Sequence, residues 1–302
     1  KNTIKILHCA DVHLDSPFSS LDLRRSEIRQ NELRGTFTSM MLYARTQGAD
    51  LVLIAGDLFE SGYASKQTIS IITKQFESMP DCKFVISPGN HDPYTAGSVY
   101  ATCKFGENVY IFDSEELSCF TFNDLGVDVY GWGFTSPAIY KSPLVGRRSD
   151  DTGRIRLLCA HADLNSPVSR YCPLSVKDLT DFGLDYAALG HVHVTTGIDR
   201  SGDTYYGYSG CPEGRSFDEP GVGGAYFVTI QSEEGKRDIK VNRVSFSRRR
   251  YETERIDLSG VSLLEEAAAR LSARINQKKY GKNTLLRAIF EGVVSPDFGG
   301  LE

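Results

Sequence analysis

At 302 residues, with 40% hydrophobic and 24% charged side chains, the chain has the make-up of an ordinary globular protein. Its length suits one large α/β domain plus a smaller piece. A net charge of -5 argues against a stand-alone nucleic-acid binder. The longest apolar run, Asp50 to Gly56, is far too short to cross a bilayer. The start of the chain lacks the layout of a secretion signal, and seven cysteines without a CxxC pair fit a reduced cytoplasm better than a disulfide framework.

In chain order, Ile4–Cys9 reads as a buried strand. A helix over about 24–46 follows, with Leu33, Phe37, Met40 and Ala44 on one face and Gly48 as its stop. Leu51–Ala55 is a second apolar strand, and a helix over about 65–78 turns Ile69, Ile72 and Phe76 inward. Lys83–Ser87 forms a third strand before the turn Pro88-Gly89. Further strands read at 109–112, 118–122, 127–131, 154–160 and 186–189. Beyond His193 the pattern is mostly β, at 204–208, 224–230 and 238–245. After Ser247-Arg248-Arg249-Arg250 the character changes again. A helix over 262–276, opened by the capping box Ser262-x-x-Glu265, carries the stripe Leu264, Ala268, Leu271 and Ile275, and a strand over 284–290 follows. The expectation is an α/β core over residues 1–247 and the start of a small α+β accessory segment over 248–302.

Five times a strand ends and a metal-type side chain follows at once: Asp11-Val-His13, Gly56-Asp57-Leu-Phe-Glu60, Gly89-Asn-His-Asp92, His161 and Gly190-His-Val-His193. The carboxyl edge of an α/β sheet is where several strand ends converge on a ligand. All six histidines lie in these motifs or, for His8, three residues ahead of the first. Asp, Asn and His without Cys is a donor set for hard-to-borderline divalent metals, and two such ions side by side are a device for cutting phosphate esters. In extended backbone, residues two apart share a side, so Asp11 with His13, and His191 with His193, are expected to face one centre. Asp57 follows a glycine that permits close approach, and its carboxylate can bridge two ions. Two divalent ions bring +4 and the two aspartates return -2. A hydroxide bridging the metals then leaves about +1, a balance suited to an anionic ester and its hydrolysis. His91 is expected near the leaving group as general acid or stabilising cation, with Asp92 holding its ring.

The ordered set D-x-H, G-D-x-x-[DE], G-N-H-D, H, G-H-x-H, spread over residues 4–245, resembles the calcineurin-like metallophosphoesterase superfamily. The segments Ile6-Leu-His-Cys-Ala-Asp-Val-His-Leu-Asp-Ser-Pro-Phe18, Ala55-Gly-Asp-Leu-Phe59 and Tyr208-Ser-Gly-Cys-Pro-Glu-Gly-Arg215 resemble its SbcD and YhaO-type DNA repair nucleases. The resemblance implies a metallophosphoesterase β-sandwich flanked by helices, with manganese as the usual ion and iron, zinc or magnesium as alternatives. It implies Asp11, His13, Asp57 and His193 on one metal, and Asp57, Asn90, His161 and His191 on the other. It further implies a DNA exo- or endonuclease that works with DNA and an SbcC-type coiled-coil ABC ATPase, as a homodimer, with the tail resembling the start of a DNA-capping domain. The chain departs from the SbcD pattern at Asp15, where glycine is usual, and ends its second motif in Glu60 rather than Asp, which leaves each implied ligand in place.

Several residues admit blander readings. Strand parity sets His8 opposite Asp11 and His13, as a buried structural histidine. Asp15, Phe18 and Arg215 are candidate substrate contacts, but a turn, a packed ring and a surface loop are the respective alternatives. The basic pairs and triplets at 147–148 and 248–250 read as solvated faces or phosphate contacts. Two other functions compete: a metallophosphoesterase for nucleotides, cyclic nucleotides or phosphoproteins, favoured slightly by the acidic charge, and a non-catalytic docking platform, disfavoured by the complete ligand set. The chain has no GxxxxGK[ST] loop, so any ATP dependence would come from a partner.

Overall fold

The computed structural model describes residues 3–233 and 235–298; Lys1, Asn2 and residues 299–302 of the two expected segments lie outside it. The elements in order are β1 Thr3–Cys9, α1 Leu23–Gln47, β2 Leu51–Ile54, α2 Lys66–Glu77, β3 Lys83–Ile86, α3 Val99–Thr102, β4 Val109–Ile111, β5 Ser118–Phe122, β6 Val127–Gly131 and β7 Ile155–His161. Then come β8 Asp163–Leu164, β9 Pro173–Leu174, α4 Val176–Phe182, β10 Tyr186–Gly190, β11 Asp199–Ser201, β12 Thr204–Tyr208, β13 Gly224–Glu233, β14 Lys236–Ser245, β15 Arg250–Asp257, α5 Leu264–Lys278 and β16 Thr284–Glu291. They fall into two compact units, residues 3–213 with 223–246, and 214–222 with 247–298.

The larger unit is built on two six-stranded sheets, ordered β14-β13-β1-β2-β3-β4 and β11-β12-β10-β7-β6-β5. The central strands of each run parallel: β1 to β4 in one, and β6, β7, β10 and β12 in the other. Strand alternation sorts the side chains into layers. Ile4 and Ile6 of β1, with Leu51 and Leu53 of β2, meet Val129, Leu157 and Ala188 between the sheets. The opposite parity, Leu7, Cys9, Val52 and Ile54, packs under Leu33, Phe37 and Met40 of α1 and Phe76 of α2. On the far side of the second sheet, Leu158, Ala187 and Leu189 meet Leu179 and Phe182 of α4. The expected α/β sandwich between helices is therefore what forms. Asp22 caps α1 by accepting from Arg25 N–H, and Gly48 ends it; Ser65 caps α2.

In the smaller unit, β15 and β16 pair in parallel with α5 between them in sequence. The strand β15 falls where only a change of character was read. The helix begins one turn-position later than its sequence suggested: Leu263 is the N-cap, without a side-chain cap. Glu266, not Glu265, accepts the Ser262 N–H at 3.0 Å. On the helix that forms, Ala267 is buried against Ile256, Leu258 and Val261, while Leu264 and Ala268 are exposed. No helix among the described residues is long and apolar enough to cross a membrane, and Cys9, Cys82, Cys103, Cys119, Cys159 and Cys172 carry free thiols.

Candidate metal centre

The first two motifs are locked together beyond their strands. Asp11 N–H donates to Gly56 O at 3.0 Å, His13 N–H to Asp57 O at 2.9 Å and Leu14 N–H to Leu58 O at 2.9 Å. The backbone there is not extended, contrary to the alternation expected of D-x-H and H-x-H. Asp11, His13 and Asp57 have φ of 51°, 49° and 50°, and His191 has 112°. Left-handed backbone at a non-glycine residue costs about 1–3 kcal/mol and persists only where its surroundings enforce it. Here these four residues are turned toward one another, and the turn, not strand parity, brings their side chains together.

Asp11, His13, Asp57 and His193 each present a ligand atom, all within 4.8 Å of one another. His13 Nε2 lies 3.3 Å from His193 Nε2. Two nitrogens at that separation subtend roughly 105° at an ion about 2.1 Å from each, an ordinary angle between ligands. Asp57 Oδ2 sits 3.6 Å from His13 Nε2 and 3.5 Å from His161 Nε2. His161 Nε2 is also 3.0 Å from Asn90 Oδ1, and the His191 ring stands edge-on to the His161 ring at 5.2 Å.

His161 tests whether a cation fits. Its Nδ1 lies 3.1 Å from the Ala55 carbonyl while Nε2 faces Asn90 Oδ1. A neutral imidazole has one N–H and can donate to only one of these acceptors. Burial pushes its pKa down to about 3, which closes the doubly protonated option. With Nδ1–H on Ala55, Nε2 and the Asn90 oxygen point lone pair at lone pair. A cation resolves that conflict, and the carbonyl contact fixes the tautomer that leaves the Nε2 lone pair free to ligate. Burial, reinforced by His161, likewise lowers His191 to about 4, keeping its ring neutral and able to ligate.

Two glycines are demanded by this packing. A Cβ on Gly56, whose φ is 90°, would fall 2.2 Å from His161 Nδ1. The glycine before Asp57 thus makes room for a histidine of the other sheet rather than for the metal itself. A Cβ on Gly89 would fall 2.2 Å from Asp57 Oδ1.

At the mouth, His91 is the exposed ring, 41% accessible at the side chain, with Nδ1 3.5 Å from Glu60 Oε1. The other Glu60 oxygen is 3.1 Å from His13 Nδ1 and accepts from Ser16 Oγ at 2.6 Å. Partial burial works to raise the Glu60 pKa, but hydrogen bonds from His13, His91 and Ser16 outweigh it and hold the carboxyl well below its usual range. Sequence reasoning passed over Glu60 as a neutral swap; its place in the second motif was the available signal.

Residues 4–195 match the family of calcineurin-like phosphoesterases. The chain belongs to that family. Among its relatives, the uncharacterized metallophosphoesterase YhaO of Bacillus subtilis is 30% identical over 75% of this chain and 57% of its own length. The DNA double-strand break repair protein Mre11 of Methanopyrus kandleri is 22% identical, covering 71% of this chain and 50% of its own. The chain therefore spans about half the length of the curated relatives it matches. A dimetal phosphatase from Danio rerio aligns over 80% of this chain and 98% of its own, at 12% identity and a TM-score of 0.45.

The remaining predicted residues of this phosphoesterase divide sharply. Asp92 does not hold the His91 ring. It is buried, and it accepts from Gly89 N–H at 2.7 Å, Phe59 N–H at 3.0 Å and Tyr100 Oη at 2.5 Å. Burial, then the Asp57 charge, push its carboxyl up to about 7. It acts on Asn90 and His91 through the backbone turn that carries them. Asp15, expected among the substrate contacts, is instead a clasp between helices, accepting from Arg34 at 2.8 Å, Thr68 Oγ1 at 2.7 Å and Ser65 N–H at 2.7 Å. Phe18 packs against the helix-side core under the Arg29 guanidinium, 5.3 Å from its centroid. Arg215 falls in the smaller unit, where Glu219 engages its guanidinium at 2.7 Å and its N–H at 2.6 Å. His8 is buried, with Nδ1 2.8 Å from Tyr186 Oη and Nε2 3.1 Å from Leu189 O, away from the ligand cluster.

Proposed function

We propose that this phosphoesterase is a dinuclear, manganese-dependent phosphodiesterase that cleaves DNA. The observation that carries the dinuclear reading is Asp57 Oδ2, set between His13 Nε2 and His161 Nε2 at 3.6 and 3.5 Å. One carboxylate oxygen so placed can serve two ions. Asp11, His13, Asp57 and His193 would hold one, and Asp57, Asn90, His161 and His191 the other. Such a pair of divalent ions supplies Lewis-acid polarisation of phosphoryl oxygens and lowers the pKa of water.

The chain's own side chains do the rest. His91, exposed beside the cluster, is the group within reach of a leaving oxygen, as general acid or as a cation beside it. Glu60 orients that ring through Nδ1 and stabilises charge on it. Asn90 is neutral, so it completes a ligand set without adding negative charge that would repel a phosphodiester. Asp92 and Tyr100 hold the Gly89–Asp92 turn rigid beneath both.

The preference for DNA is supported by the relatives whose name is DNA double-strand break repair protein. A coiled-coil ABC ATPase partner, a homodimer and a reducing cytoplasmic setting belong to the same reading, the last in keeping with free thiols at Cys9, Cys82 and Cys159. The test is incubation of the protein and manganese with labelled single- and double-stranded DNA, alongside bis-p-nitrophenyl phosphate and p-nitrophenyl phosphate. Cleavage of DNA and the diester supports the reading. Hydrolysis of the small esters without DNA cleavage overturns the nuclease part and leaves a phosphoesterase for nucleotides or phosphoproteins.

A further inference from the structure

Beside the metal cluster stands an aromatic and cationic rim that the site residues above do not include. The Tyr171 ring lies against His191, with centroids 4.8 Å apart and planes tilted by 39°. The Arg170 guanidinium covers the Tyr171 ring at 5.1 Å, and its Nη2 donates to Tyr171 Oη at 2.9 Å. Tyr140, 76% exposed, lies on the segment paired with this one. Its neighbour Ile139 donates N–H to Arg170 O at 2.9 Å and accepts from Cys172 N–H at 2.7 Å. The same segment is tied to the strand end that carries His161, since Asp163 N–H donates to Tyr171 O at 2.9 Å. Tyr171 and Arg170 are therefore held on a fixed backbone beside His191, with Tyr140 carried by the paired segment. Tyr140 is also one wall of a surface cavity of about 520 Å³ shared with Lys141, Asn165 and Leu174.

An exposed arginine beside one exposed and one half-buried tyrosine is well matched to one class of ligand. Bases stack on aromatic faces and phosphates pair with guanidinium, and the combination is tolerant of sequence because every base has a π-face. It also answers the difficulty raised by a net charge of -5: a local cation next to the centre can guide a strand that the whole molecule does not attract. We propose that Tyr140, Arg170 and Tyr171 form the substrate-binding rim of this phosphoesterase and receive the single-stranded nucleotides that flank the scissile phosphate. Arg170 takes a phosphate and Tyr140 stacks on a base, while Tyr171 packs between Arg170 and His191. The inference rests on the nuclease reading above.

Arg170→Gln and Tyr140→Ala test it, because neither residue touches a proposed metal ligand. Binding of a fluorescent oligothymidylate is followed by anisotropy over a salt series, and cleavage of the same strand with manganese is compared with bis-p-nitrophenyl phosphate. Each variant is expected to lower the ratio of kcat/KM on the oligonucleotide to that on the small diester by about fivefold or more. Arg170→Gln should also flatten the plot of log affinity against log salt by about 0.7, the loss of one phosphate contact on a single strand, and Tyr140→Ala should leave that slope alone. A purely structural role would not split the two variants in this way. Wild-type DNA cleavage with unaltered ratios and slopes in both variants overturns the rim. A wild-type protein that hydrolyses the diester but neither binds nor cuts the oligonucleotide overturns the nuclease reading, and the rim with it.

Discussion

Glu60 Oε2 lies 3.1 Å from His13 Nδ1, on the side of the ring away from the ligand cluster. Its second oxygen faces His91 at 3.5 Å, so one carboxylate steadies a proposed ligand and the proposed acid together. Glu60→Gln keeps the shape but loses the charge and one of the two acceptors. We expect kcat on a phosphodiester to fall about 10- to 100-fold, the usual cost of removing a partner that orients a metal-binding histidine. Glu60→Ala should lose more. Steady-state kinetics at measured metal content checks this, and a kcat equal to wild type would remove Glu60 from the site.

The shared position of Asp57 makes a sharper forecast about stoichiometry. His193→Ala should weaken one ion and Asn90→Ala the other, each leaving about one tightly held metal per chain. Asp57→Ala should lose both. Titration calorimetry with manganese and elemental analysis after dialysis would read the counts directly; two ions retained by Asp57→Ala would show that the carboxylate is not shared.

Gly56 has no room for a side chain. Gly56→Ala places a methyl 2.2 Å from His161 Nδ1 at a backbone φ of 90°. Overpacking costs about 1–3 kcal/mol, and the displaced imidazole should carry the second metal with it. Thermal unfolding and metal content measured on the same preparation test both halves. A variant with wild-type metal content and stability would mean the strands can move apart without consequence.

Acid sensitivity follows from histidines buried as neutral rings. Burial lowers His8 from 6.5 to about 4, its hydrogen bond to Leu189 opposing only in part. Below pH 6.5 the unfolded chain binds a proton that the folded ring refuses, so more protons are bound by the unfolded state and stability rises with pH. The destabilising effect is thus absent above about 6.5, grows as pH falls toward 4, and levels off below. For His8 it amounts to about 3 kcal/mol at most. Urea unfolding of the metal-free protein between pH 7 and 4 should show this decline, and His8→Phe should show a shallower one. Equal slopes for the two proteins would locate the acid sensitivity elsewhere.

Much of the fold was legible because it depends on short periods. The apolar parity of β1 and β2, the face of α1 with Leu33, Phe37 and Met40, and the stop at Gly48 are local features, and each could be read within a dozen residues. The order of the five motifs at strand ends was legible for the same reason. The helix α5 was placed to within two residues at each end, but its buried face runs through Ala267 and Leu271 and leaves Leu264 and Ala268 exposed, because the face a helix buries depends on what packs against it.

What the sequence by itself determined was the inventory: which residue types stand at the ends of which strands, and hence a family of two-metal phosphoesterases. The tertiary structure decided which of those residues meet. The left-handed turns at Asp11, His13 and Asp57, the approach of His161 through the gap at Gly56, and the capture of Asp15 by Arg34 and Thr68 all join segments far apart in the chain. No local pattern encodes them. A left-handed residue is unfavourable on its own and exists only because partners from another strand or sheet hold it there. For that reason the role that adjacency gave Asp92 falls to Glu60: the neighbour of His91 holds its turn from below, and a carboxylate thirty-one residues earlier holds its ring.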